Sequence, residues 1–184
     1  MSILNEYSEN VFLPRKGSFE YNFLLADKKK QKRFLKRFKF MNKYLIKPFY
    51  KIGLIPLVGL GKFLILIYTK GRKSGLERIT PIEHQIVDGV IHIFVGRGNK
   101  ADWFRNMQAN PNDVSIKKGF RRYPVKFEII ENKDDVVDVF KWFVTNVPIM
   151  PRFVFGWRKR KDDINTADFS FIADKLSVIK LYRK

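Results

Sequence analysis

The sequence predicts an α+β protein: a small antiparallel β-barrel of about six short strands, with flanking helices and a basic amphipathic helix ahead of them. Three observations lead there. Short apolar runs recur between turn signals from Phe63 onward, and the long strand–helix–strand spacing of a parallel sheet is missing. The third is composition: 45% of the 184 residues are hydrophobic, enough to fill a sizeable core. Gly59-Leu60-Gly61 is not a dinucleotide fingerprint, because it precedes a strand instead of following one.

Met1 to Pro14 lacks the basic start and apolar run of a secretion signal. Lys28 to Lys47 then carries ten of the 37 Lys+Arg and no acid, within a formal net charge of +19. Phe34, Phe38, Met41 and Leu45 share one face of a helix there, and Pro48 is expected to end it. Such a helix packs its aromatic face on the barrel, or lies on an anionic membrane surface, or meets nucleic acid. The most apolar stretch, Ile52 to Tyr68, is short for a membrane span and is interrupted by Gly53, Pro56, Gly59, Gly61 and Lys62. Residues 1–62 are thus expected to be an extension and residues 63–184 the barrel domain.

Phe63 to Thr69 is a continuous apolar run, the mark of a buried strand. Lys70 to Glu77 is a polar loop with two glycines. Arg78 to Val87 reads as extended, with Pro81 expected at a bulge or an unpaired position. Asp88-Gly89 makes a hairpin into Val90 to Val95, and Gly96-Arg97-Gly98-Asn99 breaks that strand. Ala101 to Ala109 forms a short helix stopped at Asn110-Pro111. Val114 to Lys117 and Tyr123 to Ile130 pair through Lys118-Gly119. Asn132 caps a helix to about Asn146, with Asp134 and Asp135 beside its N-terminal dipole. Pro148 to Asp168 lacks clear periodicity, and Leu176 to Leu181 is the last strand.

Several chemistries are excluded or disfavoured. Cysteine is absent, which removes disulfides, thiolate metal sites and a Cys nucleophile, and suits a cytoplasmic protein. His84 and His92 are the only histidines, which argues against a catalytic triad or a His-rich metal site. The 18 Phe predict a core or pocket rich in flat aromatic surfaces.

Two loops carry the chemistry that remains. In Thr69-Lys70-Gly71-Arg72-Lys73-Ser74-Gly75 the glycines permit a backbone nest for an anion. Arg72 offers a planar fork, Lys73 a point charge and Ser74 a hydroxyl, with Arg78 a second fork nearby. A solvated basic turn is the competing reading. The second loop, Gly96 to Asn106, also leaves a strand and opens a helix whose N-terminus favours anions.

These motifs, taken in order, resemble the deazaflavin-dependent nitroreductases, also described as F420H2-dependent quinone reductases. The likeness rests on Thr69-Lys70-Gly71-Arg72-Lys73-Ser74-Gly75, Arg78, Thr80-Pro81 and Asp88-Gly89. Trp103 and Asn106-Met107-Gln108-Ala109-Asn110-Pro111 continue it, over about Leu64 to Ile130. The resemblance implies a split β-barrel like those that bind FMN, with coenzyme F420 in a cationic groove. It implies that Arg72, Lys73, Ser74 and Arg78 hold the phosphate and polyglutamate end. Val95, Gly96 and Arg97, then Trp103, Phe104 and Asn106, would line the deazaflavin and its ribityl chain, with Ile79, Thr80 and Pro81 also among the cofactor-binding residues. The chain departs from the family at Glu83, where many members have tyrosine, and at Gly96, where serine is frequent. Phe153, Phe155 and Trp157 stand where members place substrate-pocket tyrosines.

The activity so implied is hydride transfer from reduced F420 to a quinone-like or nitro-bearing acceptor. It requires no side-chain acid or base, and no catalytic residue is assigned. FMN and haem remain alternative cofactors, and a non-catalytic F420 carrier an alternative role. Nucleic acid is not expected as a partner, since no known reader motif is present. Contact with the cytoplasmic face of an anionic membrane through Lys28–Lys47 is the expected peripheral interaction.

Overall fold

The computed structural model describes residues 7–57, 62–96 and 100–184. Seven strands form one antiparallel sheet in the order β2-β1-β5-β6-β7-β4-β3, curled into a half-barrel with flanking helices. They are β1 (Leu64–Lys70), β2 (Glu77–Glu83), β3 (Gln85–Val87), β4 (Val90–Val95), β5 (Ser115–Lys118), β6 (Arg121–Ile130) and β7 (Ser177–Arg183). Asp88 and Gly89 both take positive φ, 50° and 79°, so the β3–β4 hairpin turns as its sequence predicts.

β1 shows why its apolar run is unbroken. Ile65 and Ile67 point into the barrel with Ile93, Val95, Ile116, Ile179 and Leu181. Leu66 and Tyr68 point the other way, onto Tyr50 and Ile55. Both faces are covered. Tyr50 is fully buried, and its hydroxyl lies 3.1 Å from the Leu64 and Lys117 carbonyls while accepting from the Gly119 amide at 3.1 Å. This one side chain ties the helical N-terminal region to β1 and to the β5–β6 turn.

Four predicted features come out differently. The extended run Arg78 to Val87 is two strands, β2 and β3, because His84 turns inward between them. Its amide and Nδ1 both face the Phe63 carbonyl, at 3.0 and 3.2 Å. Pro81 sits in regular register opposite Leu66, neither bulged nor unpaired. It is tolerated because β2 is the edge strand, where an outward N–H has no ladder partner to lose.

Pro48 does not end the basic helix. α2 (Lys28–Met41) passes through a wide turn at Asn42–Ile46, in which the Lys47 amide reaches back five residues to Asn42, and continues as α3 (Lys47–Lys51). The widened turn just before it accommodates the proline, which cannot donate to the helical ladder. Finally, the Phe34–Phe38 face of α2 does not pack on the barrel. It meets Phe19 and Phe23 of α1 (Phe19–Leu24) in an edge-to-face cluster, ring centres 4.9–5.9 Å apart between the helices and within α1.

The remaining helices are α4 (Leu54–Leu57), α5 (Asp102–Ala109), α6 (Lys133–Asn146), α7 (Met150–Val154) and α8 (Ser170–Lys175). The aromatic residues assemble a second core. Phe12, Phe140, Phe143, Phe155, Trp157, Phe169 and Phe171 pack together against Phe94 of β4. Phe155 and Trp157 are therefore core residues, while Phe153 is exposed.

Candidate functional site

The turn between β1 and β2 closes on itself. The Gly71 amide donates to Leu76 O and the Gly75 amide to Gly71 O, both at 2.8 Å, with Gly75 at φ +66°. Those two N–H groups are therefore spent inside the turn, and the backbone nest expected there is not formed by them. Cationic side chains provide the anion attraction instead. Lys73, Ser74 and Arg78 are exposed, with Arg78 Nη2 donating to Ser74 Oγ at 3.2 Å.

Arg72 turns away from its neighbours and joins the two predicted loops. Its amide and Nη1 donate to Asn106 Oδ1 at 3.2 and 2.9 Å, and its Nη2 pairs with Asp102 Oδ1 at 3.0 Å. Asn106 is buried on α5, so the β1–β2 turn is latched to the helix that plugs the barrel with Phe104 and Met107.

Two further cations, missed by the sequence reading, come from α3. Lys47 is half-buried, and its ammonium pKa is lowered by burial, then by the charges of Lys51 and Arg78. Lys47, Lys51, Lys73 and Arg78 lack an acidic partner among the described residues. Lys47 lies close enough to Lys51 and Arg78 to feel their charges, and like charges gathered without a counter-ion suit a polyanion. Only through-space proximity reveals this, since Lys47 has no special place in its own basic run.

The apolar half lies at the exit of β4. Val95 is fully buried, Phe104 is 1% exposed and Pro81 is buried, so their side chains belong to the barrel interior and its cover. Ile79, Thr80 and Trp103 are partly buried on the rim, and Gly96 is partly open. Arg97 lies outside the described residues. Over Gly96 stands the carboxyl of Glu20 from α1. Burial pushes Glu20 up to about 8, with the charge of Glu83 adding, and burial pushes Glu83 up to about 7 against a hydrogen bond from Gln85. Burial lowers His84 to about 4, which keeps it neutral.

A curled antiparallel half-barrel of seven strands with flanking helices defines the split-barrel fold class. Residues 56–151 match the family described as F420H(2)-dependent quinone reductase, and the chain belongs to that family, whose cofactor is coenzyme F420. No curated protein matches. Solved structures similar to the chain include an F420-H2 dependent reductase, FDR-A, at 21% identity and a TM-score of 0.42, covering 65% of this chain and 93% of that one. Another is a putative 5-nitroimidazole antibiotic resistance protein from Bacteroides thetaiotaomicron, at 13% identity and 0.47, covering 71% and 78%. A conserved hypothetical protein, Rv2991 from Mycobacterium tuberculosis, aligns at 15% identity and 0.45, covering 69% and 79%. The residues present fit the cofactor: its anionic tail would supply the counter-charge that Lys47, Lys51, Lys73 and Arg78 lack.

Proposed function

We propose that this reductase passes the hydride of reduced F420 to an apolar, quinone-like acceptor met at an anionic membrane surface. The observation that carries the reading is a run of exposed apolar side chains along the helical stretch after the basic helix. Phe40, Tyr44, Leu45, Phe49, Ile52 and Leu57 are 63, 53, 47, 41, 74 and 77% exposed. Lys36, Lys39, Lys43 and Lys51 lie among them in sequence and are exposed too. Apolar side chains beside lysines suit a lipid headgroup boundary. The apolar face differs from the expected one, because Phe34 and Phe38 are used against α1. No helix among the described residues is long and apolar enough to cross a membrane.

When bound, the cofactor supplies the hydride; the chain binds, orients and shields it. Lys73, Ser74, Arg78, Lys47 and Lys51 would hold its anionic tail. Arg72 and Asn106 would fix the turn and α5 around it. Thr80, Trp103 and the backbone at Val95 and Gly96 would border the ring, over a floor that Phe104 helps to pack, while Ile79 and Pro81 back β2 from its other face, on the side of Leu66 and Tyr68.

The test compares a lipid-borne long-chain quinone in anionic vesicles with water-soluble menadione. Wild type should sediment with anionic but not zwitterionic vesicles and reduce both quinones. Ile52→Glu with Leu57→Glu should lose vesicle binding and the lipid-borne activity while keeping menadione reduction. Reduction of nitroaromatic dyes but of no quinone would move the acceptor to the nitro class. Equal rates for wild type and variant on the lipid-borne quinone would refute the membrane arm.

A further inference from the structure

One acid in the described structure is unused by the hydride-transfer reading. Glu20 is 4% exposed, and its Oε2 has no hydrogen-bond partner among the described residues. A Cβ built on Gly96 would stand 2.6 Å from Glu20 Cδ and 2.7 Å from Oε2, closer than real side chains pack. The carboxyl therefore occupies the space that any larger residue at the β4 exit would claim. It stands over Gly96, which on the proposed reading borders the ring, and close enough to Glu83 at the end of β2 to feel its charge. Glu83 Oε1 accepts from Gln85 Nε2 at 3.0 Å. A buried carboxylate without a cation or a donor is strongly disfavoured, so Glu20 keeps its proton at neutral pH. Placing such a group in a merely structural position would sacrifice stability that glutamine or leucine would retain.

We propose that Glu20 is the proton donor of this site, giving its carboxyl proton to the acceptor oxygen as the acceptor takes up hydride beside Gly96. The inference rests on the reductase reading above. Hydride brings two electrons and one proton, and leaves a quinone-like acceptor as an anion on oxygen. The O–H bond of Glu20 breaks as the O–H bond of the product forms. The carboxylate that remains regains a proton from water, with Glu83 beside it as the intermediate station. The proton that the cofactor loses on oxidation goes to water, so the product gains two protons and two electrons in all. Gly96 belongs to the device, since it makes room for the acid.

The first measurement uses cofactor-free protein: the infrared carbonyl band of a protonated carboxyl at neutral pH, in wild type and in Glu20→Gln. The band should be present in wild type and lose the Glu20 share in the variant, leaving only what Glu83 contributes. The second is single-turnover reduction of menadione by F420H2-loaded protein. Glu20→Gln should slow it by roughly 100-fold with the cofactor Kd within about threefold of wild type, and Glu20→Asp should recover part of the rate. Formate should restore turnover in Glu20→Ala, where a small acid fits the vacated space. An ionised Glu20 at neutral pH, or a Glu20→Gln rate equal to wild type, would overturn the proposal. A wild type that binds F420 yet reduces no quinone would instead sink the acceptor reading, and the infrared band would still judge the acid.

Discussion

Replacing Glu20 by glutamine should change the pH dependence of folding in a calculable way, with no cofactor present. The side chain keeps its shape over Gly96 and loses its ionisation. In the wild type, the Glu20 pKa rises from its ordinary 4.5 to about 8 on folding. Between those values the native state holds more protons than the unfolded chain, so stability must fall as pH rises through that window. It is fully present below 4.5 and lost by about 8. One pKa unit corresponds to about 1.4 kcal/mol, so the interval is worth at most about 5 kcal/mol.

Glu20→Gln has no such slope. Urea unfolding at pH 5, 7 and 8.5 should therefore find the variant within about 1 kcal/mol of wild type at the lowest pH. It should be more stable by as much as about 4 kcal/mol at the highest. The large positive net charge contributes to both proteins and cancels in the difference. Parallel stability curves for the two proteins across this range would refute the reasoning, because they would mean that folding does not desolvate the carboxyl.

Other consequences follow from the same geometry. Tyr50→Phe strips the hydroxyl that accepts from the Gly119 amide and faces the Leu64 and Lys117 carbonyls, and should cost about 2 kcal/mol in urea unfolding. Arg72→Ala should cost about 1 kcal/mol by unlatching the turn from Asn106 and weaken F420 binding by calorimetry; Arg72→Lys should not restore binding, since it loses the fork. Lys73→Ala, whose side chain is exposed, should leave stability unchanged, raise the cofactor Kd about three- to tenfold and flatten its dependence on salt.

The sequence was informative where one periodicity decides a segment. β1 was legible because burial on both faces demands an unbroken apolar run, and the Asp88-Gly89 hairpin because its turn needs positive φ at both positions. The break at His84 was not, since a histidine turning inward leaves no mark on a run of β-formers. The path through Pro48 was equally hidden: a widened turn keeps helical spacing, while proline chemistry reads as a stop. For the site, the cationic turn was visible as a local motif. Its latch to Asn106 was not, because Arg72 and Asn106 lie 34 residues apart in the chain and meet only in space. Glu20 was invisible, because α1 has six residues and its acid acquires meaning only where the chain returns at Gly96.

These placements also give the site a direction. β2 runs from Arg78, beside Lys47 and Lys51, to Glu83, beside Glu20, a separation of about 17 Å along an extended strand. One end gathers cations without counter-ions, and the other gathers acids that resist ionising. On the proposed reading an anionic tail must lie at the Arg78 end, because the opposite orientation would set phosphate against the buried Glu20 and half-buried Glu83 carboxyl groups and leave the cations unpaired. The uncharged ring then falls at Gly96, where a protonated acid does not repel it and a hydride acceptor can meet a proton. Electrostatics thus selects the orientation that brings hydride and acid to the same point.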